Sequence, residues 1–341
     1  VARAWRKPPA PDSKLLHIGA RFARFSEVAM ATMKAVLLES FGGTETLRVK
    51  EIERPRPGDA EVLIKVQAAS VNPVDYKMAA GKYPTVTQNQ LPIVLGRDIS
   101  GTVIGCGRQV TDLAVGDEVY AMLDRAHGGF AEYVAVNADL CVPKPAKLDH
   151  AAAAAVPLAG ITAWQGLFDH GRLVSGQRVL IHGGAGGVGH FAIQFAKERG
   201  ANVSTTGLAQ DKDFMRLLGA DQTVDYTSDA FEKVVHGVDL VFDLVAADTQ
   251  ERSWHVLKDG GALVSTLTKP SEMMARQHNA RATNYQAQPN AGELAEIGQL
   301  IATGKVKPYI EATFPLEEAG IALQRLQQRH TQGKIVLEVS A

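Results

Sequence analysis

"VLIHGGAGGVGH", residues 179–190, sets five glycines among twelve positions, directly behind the apolar triplet Val179-Leu180-Ile181. Such a loop serves as a phosphate cradle, as a pair of metal ligands, or as a plain flexible turn. Gly184-Ala185-Gly186-Gly187-Val188-Gly189 satisfies G-x-G-x-x-G, a pattern that is weak alone and strong between a strand and an amphipathic helix. Val188, Ala192, Phe195 and Ala196 fall on one helical face after it, and Gly200 stands where a glycine would end that helix. In a β-α-β unit of this kind Gly184 permits the tight turn, Gly186 lets the backbone approach a pyrophosphate, and Gly189 lets helix and strand pack closely. The helix N-terminus adds free N–H groups and a partial positive charge. His182 and His190 are eight residues apart, with no Cys or carboxylate beside them in sequence, so no metal site is expected here. The loop reads as a phosphate cradle.

The next apolar strand decides which dinucleotide is expected. An acidic residue about 20 positions beyond the glycines would hold the ribose 2′-hydroxyl of NAD. The strand instead ends Thr205-Thr206-Gly207-Leu208, without a carboxylate. That favours a 2′-phosphate, hence NADPH over NADH, with Lys212 and Tyr226 as phosphate partners and Thr206 in the cofactor site. Asp211 beside Lys212 runs against the reading.

Outward from the loop, strands and helices alternate from residue 178 to about 290, as parallel β-α-β units do. Upstream, short β segments with Gly and Pro punctuation, such as "PRPGD" and "AHGGFAEY", run from Met33 to about residue 145. Two further helices over 291–304 and 316–329 precede a last strand, "GKIVLEVS". The expected fold class is α/β. A doubly wound Rossmann domain (157–290) joins a β-rich domain assembled from 33–156 and 291–341.

The 341 residues suit two domains. Hydrophobic residues make up 45% and charged residues 21%, and no apolar run reaches the roughly 20 residues a membrane span needs. Residues 1–32 carry six Lys/Arg against two Asp/Glu, which leaves 30 against 35 in the remainder. An acidic body gives nucleic acid no electrostatic attraction. Cys106 and Cys141 are too few for a disulfide framework or a thiolate zinc site and suit a reducing compartment, so the cytoplasm is expected. The basic 1–32 stretch reads as an appendage: a tag, an upstream start, or a presequence directing organelle import.

With "LGRDISGTV", "VGDEVYAM", "GGFAEYVAV" and "PLAGITAWQGL" ahead of the glycine loop, the chain from Met33 onward resembles the medium-chain dehydrogenase/reductase superfamily. The resemblance implies a GroES-like catalytic domain, a Rossmann domain, a cleft between them for the nicotinamide, and a homodimer. Where zinc-dependent members place metal ligands, this chain has Asn72, Arg97 and Asp98, and a guanidinium cannot replace an imidazole on zinc. It therefore looks like the zinc-free branch of quinone oxidoreductases and enone or alkenal reductases, to which "NPVDYK" (72–77) is closest. There a hydride passes from nicotinamide to a quinone or to the C=C bond of an unsaturated carbonyl. Lys77 is expected to stabilise charge on the acceptor oxygen, with Asn72 and Tyr76 as neutral donors. Asp75 and Asp98 read as structural acceptors. The resemblance adds Thr162, Val245 and Leu267 to the cofactor site. Two other readings stay open: a 2-enoyl thioester reductase, and a non-catalytic NADPH-binding structural or sensor protein.

Overall fold

The computed structural model describes residues 31–328 and 330–339. The proposed appendage thus lies, but for its last residues, outside the described residues.

The β-rich half begins with β1 (Thr32–Leu38) paired antiparallel to β2 (Leu47–Glu53). It continues through β3 (Glu61–Ser70), α1 (Pro73–Ala79), β4 (Ile93–Val94), β5 (Asp98–Cys106), β6 (Glu118–Met122), β7 (Tyr133–Asn137) and β8 (Cys141–Pro143). In β3 the residues Val62, Leu63, Ile64, Val66 and Ala68 are all buried, so both faces of this strand are covered. Two helices lead out of the half. The first, α2 (His150–Ala154), is capped by Asp149, which accepts from the Ala152 N–H at 2.7 Å. The second, α3 (Pro157–Trp164), starts on a proline, whose missing N–H costs nothing in a first turn.

The Rossmann half alternates β9 (Arg178–His182), α4 (Gly189–Glu198), β10 (Asn202–Gly207), α5 (Lys212–Leu217), β11 (Gln222–Asp225), β12 (Val238–Asp243), α6 (Asp248–Ser253), β13 (Leu257–Ser265), α7 (Glu272–Gln277) and β14 (Arg281–Asn284). Its strands are all parallel in the order β11-β10-β9-β12-β13-β14. The chain winds outward from β9 and then reverses at β12. Ligands of open parallel sheets enter at the crevice such a reversal leaves beyond the strand ends. Helix α4 closes as the sequence suggests: Gly200 is left-handed (φ +81°), and the Gly200 and Ala201 amides bond the Lys197 and Ala196 carbonyls.

Beyond β14, α8 (Ala291–Ala302) turns Leu294, Ile297 and Ile301 into the same apolar core as Ala159, Ile161, Phe191 and Ala192. The return to the β-rich half is made by β15 (Ile310–Pro315) and β16 (Lys334–Glu338), which head the order β15-β16-β3-β5-β6-β8. Between them α9 (Ala319–Gln328) packs Ala319, Ala322 and Leu323 against Val36, Leu38 and Met78. Among the described residues no helix is long and apolar enough to cross a membrane.

Candidate active site

The glycine loop leaves β9 at the crevice. Its left-handed residue is Gly183 (φ +76°), one position before the motif's first glycine. Gly184 is needed for close approach instead: a Cβ there would stand 2.0 Å from Thr205 Oγ1. At Gly189 a Cβ would stand 2.2 Å from the Gly183 carbonyl oxygen, so α4 begins against the strand end. At Gly186 a Cβ would project into open space, meeting only Gly183 O at 3.5 Å. That gap, beside the start of α4, fits a pyrophosphate.

Both histidines of the motif are spent on packing. His182 is buried between the Thr206 and Ser253 hydroxyls, and burial lowers its pKa to about 4. His190 contacts Gly186 O at 3.1 Å and is lowered to about 3 by burial. Among the described residues no group of three or more His, Cys, Asp or Glu could hold a metal ion.

The cofactor residues expected at this strand end divide. Lys212 and Tyr226 are exposed just past β10 and β11, and the Tyr226 amide bonds Gly207 O at 3.2 Å. Thr206, by contrast, is buried, and its hydroxyl is occupied by His182 and by the Gly183 amide at 3.2 Å. It positions the loop and offers nothing to solvent. Asp211 is fully buried: Gln332 Nε2 donates to it at 2.8 Å and His330 Nε2 stands 2.8 Å away. The carboxylate that ran against NADP thus faces inward.

Between the halves lies a cavity of about 510 Å³, whose walls include Asn72, Val74, Lys77, Arg97, Thr162, Val188 and Leu267. Val245 lies outside this wall; it is half exposed after β12, within reach of Gly183. Lys77 is half-buried, and among the described residues its ammonium has no hydrogen-bond or ion-pair partner. Tyr76 corrects its expectation. One residue along a helix is a turn of about 100°, which carries Tyr76 away from the cleft into the cluster with Leu38, Met78 and Leu323. A second cavity of about 510 Å³ in the β-rich half shares Tyr83, Arg97 and Arg125 with the first. At this shared edge Arg125 Nη2 donates to Gln286 Oε1 at 2.6 Å, joining the two halves.

Asn72 faces the cleft, but its amide is committed. Nδ2 donates to Asp98 Oδ2 at 2.8 Å and to Ser70 O at 3.2 Å, while Oδ1 accepts from Lys334 Nζ. Asp98 also accepts from Ser70 Oγ at 2.7 Å and from the Leu158 amide at 2.6 Å, so it satisfies a free N–H in the first turn of α3. Asp75 accepts from the Asn72 amide at 2.8 Å, and burial raises its pKa to about 7. Lys334 is itself buried, 3.7 Å from Asp98, with burial lowering its pKa. Its side chain also lies against Gly187, and the neighbouring Gly333 amide donates to Ala185 O at 2.8 Å. The sequence reading missed Lys334; its only signal was one lysine in an apolar strand.

Parallel sheet, glycine cradle and inter-half cleft together define a dinucleotide-binding oxidoreductase architecture. Comparison with known proteins agrees. Residues 58–146 match the alcohol dehydrogenase GroES-like domain, and residues 218–337 match the zinc-binding dehydrogenase family. The NADPH-dependent alkenal/one oxidoreductase, chloroplastic, of Arabidopsis thaliana is 35% identical, over 89% of this chain and 79% of that protein. The mitochondrial NAD(P)H oxidoreductase RTN4IP1 of Mus musculus is 31% identical over 98% of this chain and 95% of its own. The structure of the quinone oxidoreductase from Coxiella burnetii superposes with a TM-score of 0.86 at 37% identity, covering 91% of this chain and all of that one. The chain belongs to the medium-chain dehydrogenase/reductase superfamily, in the branch of quinone oxidoreductases and alkenal reductases.

Proposed function

We propose that the chain reduces α,β-unsaturated carbonyls or quinones with NADPH, without a metal ion. The observation that carries this reading is the pair of cations, Lys77 and Arg97, in the wall that also holds Thr162, Val188 and Leu267 beside the glycine loop. When bound, NADPH supplies a hydride from C4 of its nicotinamide. The chain's own work is then electrostatic. Adding hydride to the β-carbon of an enone puts negative charge on the carbonyl oxygen, and a cation in the cleft wall stabilises it. Among the described residues of this wall, Lys77 is the cation left without a partner and takes this role. Arg97 Nε and Nη2 donate to Leu123 O at 2.9 and 2.7 Å, which fixes the guanidinium as a field source in the wall. Solvent returns a proton to the α-carbon, and Asp75 and Asp98, both held by backbone amides, serve the scaffold.

Three further parts of the reading rest on smaller observations. The metal-free assignment is supported by the donor set, since Arg97 is cationic and Asn72 is fully bonded. A homodimer is supported by β14, which ends the Rossmann sheet and leaves one edge for pairing. For localisation, the cytoplasm suits the two free cysteines, and the organellar relatives support import through residues 1–32.

The test follows NADPH and NADH oxidation by the full chain with a small enone, a long-chain alkenal and a quinone, identifying each product. The expected result is saturated carbonyl from the enone or alkenal, with NADPH preferred. Lys77→Ala should lower kcat about 10- to 100-fold and leave the KM for NADPH unchanged. NADPH binding without turnover on any acceptor would overturn the enzymatic reading in favour of a binding protein.

A further inference from the structure

We infer that His330 and Gln332 set the chain's choice of dinucleotide by holding the Asp211 carboxylate away from the ribose-reading end of β10. This inference rests on the NADPH reading above. In a parallel sheet of this kind, an acidic group at the end of the second strand selects NAD, because it accepts from the 2′-hydroxyl and repels a 2′-phosphate. Asp211 is the only carboxylate placed to do so between the end of β10 and the start of α5. Its Cβ lies 3.8 Å from where a Cβ would stand on Gly207, the last residue of β10. Asp211 therefore packs directly against the strand end.

It does not face that way. Oδ1 accepts from Gln332 Nε2 at 2.8 Å, Oδ2 lies 2.8 Å from His330 Nε2, and the Leu208 amide reaches Oδ2 at 3.4 Å. Both oxygens are thus engaged, and Asp211 is fully buried. Among the exposed residues near this strand end are Lys212 and Tyr226, a cation and a hydroxyl suited to phosphate, with Asp213 exposed one residue into α5.

The two clamping residues come from the segment just before β16, more than a hundred positions away in sequence. That segment is anchored at three points independent of Asp211. The Gln332 amide donates to Glu311 Oε2 at 2.7 Å, the Gly333 amide to Ala185 O in the glycine loop, and Lys334 Nζ to Asn72 Oδ1. One short strap therefore touches the phosphate cradle, the cleft wall and the ribose-selecting carboxylate. His330 and Gln332 are positioning residues; they act through Asp211.

The experiment measures dissociation constants of NADPH and NADH for the full parent chain, for His330→Ala/Gln332→Ala, and for that pair combined with Asp211→Asn. The parent must bind NADPH more tightly; if it prefers NADH, the underlying NADPH reading fails and the inference falls with it. Given that preference, the double variant should lower the Kd(NADH)/Kd(NADPH) ratio at least tenfold. Adding Asp211→Asn should restore most of the NADPH affinity, which general loosening of the fold would not allow. An unchanged ratio in a folded double variant overturns the inference while leaving the NADPH reading standing, as does a change that Asp211→Asn fails to reverse. If the double variant does not fold, His330→Ala alone should still lower the ratio about threefold, and no change there overturns the inference equally.

Discussion

Gly186 and Gly189 are three residues apart, yet the structure gives them opposite liabilities. An alanine methyl at Gly186 meets nothing closer than Gly183 O at 3.5 Å, an ordinary contact. Without cofactor, Gly186→Ala should therefore change stability by less than about 1 kcal/mol, with any shift favouring the folded state, because alanine narrows the unfolded ensemble. The same methyl fills the gap assigned to the pyrophosphate, so NADPH affinity should drop at least tenfold, about 1.4 kcal/mol. At Gly189 the methyl would lie 2.2 Å from Gly183 O and 2.7 Å from Gly184 Cα, both backbone atoms of the loop. Relief requires lifting α4 off the strand end by about 1 Å, and such overpacking costs about 1–3 kcal/mol. Denaturant unfolding of the cofactor-free variants reads the first quantity, and titration with NADPH reads the second. Should Gly186→Ala bind NADPH as the parent does, the loop is not the phosphate cradle. A Gly189→Ala chain as stable as the parent would refute the close helix–strand approach.

Two other predictions concern the buried polar network. Lys334→Met leaves Asp98 and Asn72 Oδ1 without their cation in a buried site, and breaking a buried pair from one side costs about 3–5 kcal/mol; denaturant midpoints near those of the parent would count against the network. For Asp75, burial raises the pKa from 3.8 to about 7. Between those values the folded chain holds a proton that the unfolded chain has released, so this group's contribution is full below the unfolded value and is lost as pH rises through 7. Asp75→Asn removes that dependence. Parent stability relative to the variant should then fall by up to about 1.4 kcal/mol per pH unit from pH 4 to 7, and parallel stability–pH curves would contradict it.

The sequence by itself determined the Rossmann half, because its signals are local. The strand Val179–Ile181, the glycines, the apolar face of α4 and the terminating Gly200 span little more than twenty residues, and backbone sterics with helical periodicity fix them without help from elsewhere. The β-rich half and the cleft were legible through the resemblance, and Lys77 was placed in the cleft wall by its position in "NPVDYK". Side-chain direction was not legible. Tyr76 adjoins Lys77 in the chain but faces a separate apolar cluster, because α1 is wedged between the cleft and α9. Thr206 lies one residue before the end of the strand expected to read the ribose, yet its hydroxyl is claimed by His182, a neighbour across the sheet. Tertiary structure alone decided that Asp211 turns inward, since Gln332 lies 121 positions away, and that Lys334 meets Asn72 across 262. A buried charge must find its partner wherever the chain's return brings one, and no local pattern records that return.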